Sequence, residues 1–203
     1  MVNVPVAAIV LAGGRSARLG GVQKANVEID GVPLADHVYA AVRGCTPVIA
    51  VGPDDIGRPG VRLVRERPLF GGPAAAVGAG IAAVGSGIAT LKGSEATETW
   101  LLACDLPRAA ELVALIAKVP IPDDADGVVA EDAEGRMQWL AGRYRVSAVQ
   151  SAVAQHPNVT GISIRKLFAD LRLHAVDDGG TAVDLDTWAA IEDYRNTRKD
   201  DNV

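Results

Sequence analysis

Apolar residues along this chain fall into two kinds of run. Short stretches rich in Val, Ile, Leu and Ala occupy residues 6–11, 47–51, 61–64, 100–103, 127–130 and 140–144, the length and composition of buried strands. Between them lie longer segments of helical period: 34–43, closed by Gly44; 74–84, opened by Pro73; and 111–118, preceded by Pro107. The order β-α-β-β-α-β-α-β predicts an α/β fold whose helices cross over a mostly parallel sheet. In the last third, 147–155, 164–170 and 187–194 read as helices and 173–176 as an extended segment. The Gly-, Ser- and Thr-rich stretch 85–99 reads as a surface loop and 196–203 as a frayed polar tail, both without a catalytic role. No internal repeat is present, and the expected organisation is one domain over 1–195.

Composition narrows the class. With 203 residues, 49% hydrophobic and 22% charged, the chain can bury one substantial core and is too short for two ordinary domains. Gly, Pro or charge interrupts every long apolar run, so a membrane span is not expected. Residues 1–5 carry no basic side chain, and 6–11 lead into glycines, as a first strand would and a signal peptide would not. Two cysteines, Cys45 and Cys104, are too few for a disulfide framework or a cysteine-built zinc site and fit a reducing cytoplasm. The net charge of -5 opposes broad binding to nucleic acid, which requires a basic face. His37, His156 and His174 are widely separated, none beside a nucleophile, which argues against a Ser/His/Asp hydrolase. His37 and the three tryptophans, Trp100, Trp139 and Trp188, read as structural.

The segment from Leu11 and Ala12 to Lys24 begins where the first strand ends, at the carboxyl edge where open α/β sheets bind ligands. Gly13, Gly14, Gly20 and Gly21 let the backbone approach a ligand, and Arg15, Arg18 and Lys24 add positive charge, a combination suited to a polyphosphate. Neither the P-loop pattern nor the dinucleotide fingerprint fits. The plain alternative is a glycine-rich surface turn.

Asp105 follows the run 100–103 and so stands on the same edge. Mg²⁺ needs only one or two carboxylates beside a polyphosphate, so Asp105 is a candidate metal ligand, with Asp184 and Asp186 a second candidate pair. Asp105 could instead be a turn residue before Pro107, and Asp186 a cap for the helix that follows. Gly71-Gly72-Pro73 makes a turn that opens a helix whose free amides could face a base or phosphate, though such a turn is commonly a mere junction. Glu66 is placed to accept hydrogen bonds from a base or ribose.

Leu11-Ala-Gly-Gly-Arg-Ser-Ala-Arg-Leu-Gly20, then Lys24, then Asp30-Gly-Val-Pro-Leu34 resembles the opening of the MobA-like nucleotidyltransferases. Cys104-Asp-Leu-Pro107 resembles the family's magnesium segment, Glu66 to Gly80 its Gly-Pro region, and Asp184-Leu-Asp-Thr187 its segment near the C-terminus. The resemblance implies a single Rossmann-like three-layer domain of the nucleotide-diphospho-sugar transferase type. It implies transfer of GMP from GTP to the phosphate of molybdopterin with release of pyrophosphate. Its implied catalytic residues are Arg15, Arg18, Lys24 and Asp105, and its implied metal is Mg²⁺ on Asp105 and Asp186. Leu11, Ala12, Gly13, Gly14, Lys24, Gly52, Glu66, Gly72 and Asp105 would bind the nucleotide. Its implied partners are GTP, molybdopterin, cofactor-insertion proteins and molybdoenzymes, with no nucleic acid or membrane, for a cytoplasmic monomer or weak oligomer. Gly13-Gly14 points to GTP, where Ala-Gly is commoner among cytidylyltransferases. The chain departs from the pattern at Leu19, Gln23, Gly52, Glu66 and Gln138-Trp139-Leu140, which puts the acceptor in doubt. A CTP-dependent cytidylyltransferase or a sugar-phosphate nucleotidyltransferase of the same fold, and a non-catalytic nucleotide-binding regulator or cofactor carrier, are the competing readings.

Overall fold

The computed structural model describes residues 5–13, 22–88, 96–183, 185 and 187–200. The first strand, β1 (Val6–Leu11), is apolar throughout and lies at the middle of the fold, with Ala7, Ala8, Ile9 and Val10 fully buried. Such a run has no polar face because helices cover both sides of a parallel sheet. A tight hairpin follows, β2 (Glu28–Ile29) and β3 (Val32–Pro33), and leads into α1 (Leu34–Ala41). Next come β4 (Val48–Val51), β5 (Val61–Val64), α2 (Pro73–Ile88), β6 (Glu98–Ala103) and α3 (Ala109–Ala117). The remainder is β7 (Gly127–Glu131), β8 (Met137–Arg145), α4 (Val146–Ala154), α5 (Ile164–Leu167), β9 (Leu173–Asp177) and α6 (Trp188–Asp200).

Seven strands form one sheet in the order β5-β4-β1-β6-β8-β7-β9, all parallel except β8. One face packs against α1 and α3, the other against α2, α4 and α5. The expected three-layer α/β architecture is therefore present. The carboxyl ends of β1, β4, β5 and β6 open on one edge, since Leu11 is in register with both Val51 and Ala103, and Val51 with Val64.

The pattern reading differs from the structure most in four places; in addition β8 begins at Met137, three residues before the run read at 140–144. The β2–β3 hairpin went unseen because two-residue strands are too short to alternate. Its Asp30-Gly31 turn, with φ of 54° and 75°, is the two-residue type that demands such residues. Residues expected to form a loop from 85 instead continue α2 to Ile88, and β6 already begins at Glu98. The helix survives its glycines because it lies flat on the sheet: a Cβ on Gly80 would come within 2.5 Å of Ile9. The short α5 ends at Leu167, where Phe168 turns its ring into the core. Finally, α6 runs to Asp200, past the expected onset of a frayed tail at 196. That helix is held by Ile191, fully buried against Val27, Ile29 and Leu34, and by Arg195, which donates to the Glu28 carbonyl at 2.6 Å.

Candidate nucleotide site

Hydrogen bonds that run past the strand ends build the floor of the site. The Ala12 amide donates to the Val51 carbonyl at 2.9 Å, the Cys104 amide to Leu11 at 3.0 Å and the Gly52 amide to Val64 at 3.1 Å. Leu11 and Ala12 are 7% and 2% exposed, so their side chains belong to the core and only their backbone is placed to meet a ligand. Gly52 lies beneath them, where a Cβ would come within 3.0 Å of the Ala12 carbonyl group. A larger residue there would lift the start of the glycine loop.

The far end of that loop is pinned from within. Gln23 donates its side-chain amide to the Ala12 carbonyl at 2.8 Å, so the two ends of the loop are tied together. Lys24 follows in a one-turn 3-10 helix (Lys24–Asn26), and its ammonium forms an ion pair with Asp105 just beyond β6. The two side chains are 16% and 10% exposed, so the pair is nearly desolvated and each partner needs the other. Gly14, Arg15, Arg18, Asp184 and Asp186 lie outside the described residues. Thr187 caps α6: its hydroxyl accepts the Ala190 amide at 3.1 Å.

Glu66 stands beyond β5 and is 6% exposed. Its carboxylate lies 3.6 Å from where a Gly13 Cβ would be, so it borders the glycine loop from the side. One of its oxygens accepts the Phe70 amide at 3.2 Å. From there Gly71 and Gly72 lead into Pro73, the first residue of α2; Gly72 has φ of 91°, a conformation other residues adopt at a cost. The Gly161 amide donates to the Gly71 carbonyl at 2.8 Å and ties this turn to the loop before α5.

The edge thus brings together Ala12, Gly13, Lys24, Gly52, Glu66, Gly72 and Asp105. Among the described residues no three His, Cys, Asp or Glu side chains gather into a metal cage. One carboxylate is enough for Mg²⁺ when phosphates and waters complete its shell, so Asp105 fits the ion.

Sequence reasoning missed two features. Asp178, just past β9 on the same edge, is 4% exposed and accepts the Gly180 and Ala182 amides at 2.7 and 2.9 Å, which fixes the turn from Asp178 to Ala182. Arg108 donates to the Gly180 carbonyl at 3.0 Å, and its bond to Glu111 holds its pKa above the ordinary value. The signal was Asp177-Asp178-Gly179-Gly180, a turn sequence. The other feature is Phe70, for which sequence offered no signal. In the far half, Gln138 bonds Asp132 at 3.0 Å, and Trp139 packs on Phe168 with ring centroids 6.4 Å apart, as a packing residue should. Trp188, expected to pack, is 43% exposed. His37 is structural as expected, its ring 3.3 Å from the Ile29 carbonyl.

A family model described as the MobA-like NTP transferase domain matches residues 8–176. The chain belongs to this family. A molybdenum cofactor guanylyltransferase of Cupriavidus metallidurans is 29% identical over 209 residues, an overlap covering 96% of each chain. Other curated relatives of the same name match at 29–34% identity over regions in which the chain spans only about half their length. The molybdopterin-guanine dinucleotide biosynthesis protein A of Archaeoglobus fulgidus superposes with a TM-score of 0.66 at 15% identity, over 96% of this chain and 99% of that one. A 2-C-methyl-D-erythritol 4-phosphate cytidylyltransferase of Thermus thermophilus gives 0.67 at 13%, with coverage of 96% and 99%. These likenesses establish the MobA-like fold and leave the choice of nucleotide to the site.

Proposed function

We propose that this MobA-like chain is a magnesium-dependent nucleotidyltransferase that moves GMP from GTP to the phosphate of molybdopterin, releasing pyrophosphate and forming the guanine dinucleotide cofactor. The observation that carries this reading is the desolvated Lys24–Asp105 pair at the meeting of β1 and β6, beside the glycine loop. A carboxylate and an ammonium there offer one group to a metal and one to phosphate. Mg²⁺, when bound, neutralises charge on the phosphate oxygens.

The chain's own residues supply the rest. The backbone at Gly13 and Gly14, with that at Gly72, receives phosphate oxygens, since the Ala12 amide is committed to Val51, and Gly52 keeps the loop low enough to do so. Lys24, Arg15 and Arg18 neutralise the charge that grows on the leaving pyrophosphate. Glu66 accepts donors from the base or ribose. An acceptor phosphate oxygen attacks the α-phosphorus, the bond to the bridging oxygen breaks, and pyrophosphate departs. Positioning and charge suffice, so no covalent nucleophile is required. Gln23 closes the loop by a hydrogen bond to the Ala12 carbonyl, and that role is compatible with catalysis.

Among the described residues no helix is long and apolar enough to cross a membrane. The reading places the chain in the cytoplasm, with molybdoenzymes and cofactor-insertion proteins downstream. The cytidylyltransferase of the same fold keeps CTP as the second reading. Calorimetric titration with GTP, CTP, ATP and UTP, with and without Mg²⁺, separates them. GTP preference that depends on Mg²⁺, followed by pyrophosphate release on adding molybdopterin, supports the proposal. CTP preference supports the second reading, binding without pyrophosphate release points to a regulator, and no nucleotide binding overturns all three.

A further inference from the structure

Beyond β9 the chain turns back across the sheet edge. Residues 178–183 and 185 lead from Asp178, just past the last strand of the sheet, to Leu185, which is 1% exposed in one cluster with Val27, Ile29 and Leu34. This strap therefore passes from the far end of the sheet to the hairpin beside Lys24. It has a shape of its own. The Asp178 amide donates to the Glu131 carbonyl at 3.0 Å, and the Thr181 hydroxyl donates to the Asp178 carbonyl at 2.6 Å, with Asp178 and Thr181 both buried.

Arg108 fastens the strap between its ends. Glu111, one turn along α3, accepts from Nε at 3.1 Å and also from Nη2, which engages one side of the planar guanidinium and leaves Nη1 to donate to Gly180. Both fixed points of the strap are near the candidate metal ligand. Arg108 comes three residues after Asp105 and Val27 three after Lys24, so each lies within about 11 Å of the partner it follows. The turn that carries Asp105 is held on two sides, by the Cys104 amide on Leu11 and by Arg108 on the strap. The glycine loop depends on neither, because Gln23 joins its ends. We propose that Arg108 is a positioning residue: by latching the strap to the Asp105 turn, it fixes where the Asp105 carboxylate meets the Mg²⁺ that accompanies the nucleotide. The inference rests on the nucleotidyltransferase reading above and adds to it the group that orients the metal ligand.

Loss of the latch separates this role from a structural one, because it loosens the metal side of the site and spares the phosphate side. The Arg108 side chain is 33% exposed, so Arg108→Gln opens no cavity in the core. The variant is expected to exchange its Gly180 and Ala182 amides faster. In calorimetry the Mg²⁺ concentration that half-saturates GTP binding should rise roughly tenfold, as it does when a group orienting a metal ligand is removed, while binding of inorganic tripolyphosphate without Mg²⁺ stays unchanged. Arg108→Lys, which keeps a donor for Gly180, recovers part of the Mg²⁺ response. An unchanged Mg²⁺ requirement in Arg108→Gln, even with a lower melting temperature, overturns the inference, as does an equal loss for tripolyphosphate; both leave the reading of the site intact. Absence of Mg²⁺-dependent GTP binding in the unsubstituted chain overturns both.

Discussion

The two halves of the sheet present their edges in opposite ways. In β5-β4-β1-β6 every strand is parallel, registers are unbroken, and the candidate chemistry sits in loops just past the strand ends: Gly13, Gly52, Glu66 and Asp105. In β8-β7-β9 the strand that joins the first half, β8, runs the other way, and the β7–β8 pairing shifts register between Val129 and Ala130. That half shows the candidate edge the beginning of β8, so Gln138 and Trp139 meet it as strand residues, fixed by Asp132 and Phe168. A parallel strand delivers a flexible loop to the edge, which a common substrate part can shape in every relative. An antiparallel strand delivers side chains already packed into the core, so a change there alters what the edge fits.

Removing the charge of the buried carboxylate should separate the halves most sharply. Asp105→Asn is expected to lower the rate of pyrophosphate release by on the order of 10³-fold, since it removes several kcal/mol of charge stabilisation. Near-normal turnover in that variant would show that the edge at β6 does not hold the metal. Lys24→Met leaves Asp105 unpaired and nearly buried, and denaturant unfolding should show a loss of about 3 kcal/mol.

Packing contrasts come next. Gly80→Ala pushes a methyl group into Ile9 and should cost about 1–3 kcal/mol, whereas Gly85→Ala on the same helix, with nothing nearer than the Gln150 side chain at 3.8 Å, should gain up to about 1 kcal/mol. Equal effects at the two positions would mean that α2 does not lie on β1 as described. For the far half, Trp139→Ala should raise the KM for the acceptor several-fold and leave GTP affinity within about twofold, because Trp139 packs on Phe168 at the start of β8, away from the Lys24–Asp105 pair. A parallel fall in GTP affinity would mean that the two halves act as one pocket.

The smallest effect is alkaline. Burial pushes the Tyr39 hydroxyl, which donates to the Ile56 carbonyl at 3.1 Å, up to about 12 from 10.0. The folded protein therefore holds this proton more tightly than the unfolded chain does. The resulting stability is complete below pH 10 and is lost as pH rises toward 12. Tyr39→Phe should flatten that decline and lower stability near neutrality by about 1 kcal/mol.

How legible the molecule was in its sequence followed the same division. Strands β1 and β5 were bounded to the residue: β1 because a parallel strand buried on both faces is a continuous apolar run with sharp ends, and β5, a part-exposed edge strand, because Gly60 and Arg65 flank it. The crossover helices were found where Pro and Gly punctuate them, and misjudged where glycine serves packing, as in α2. For the site, Lys24, Glu66 and Asp105 were visible because each follows a strand on one edge. Phe70 was invisible because its backbone angle is a product of tertiary hydrogen bonds. Asp178 looked like any residue in a turn.

The hairpin β2–β3 gives the order of events during synthesis. It anchors the downstream end of the glycine loop and is itself covered by α6, through Ile191 and through the bond from Arg195 to Glu28, residues 167 positions apart. Closing so long a loop is slow and comes late in folding. Until α6 has been made, the hairpin beside the glycine loop lacks the helix that covers it, even though β1, β4 and β6 all precede α6 in the chain.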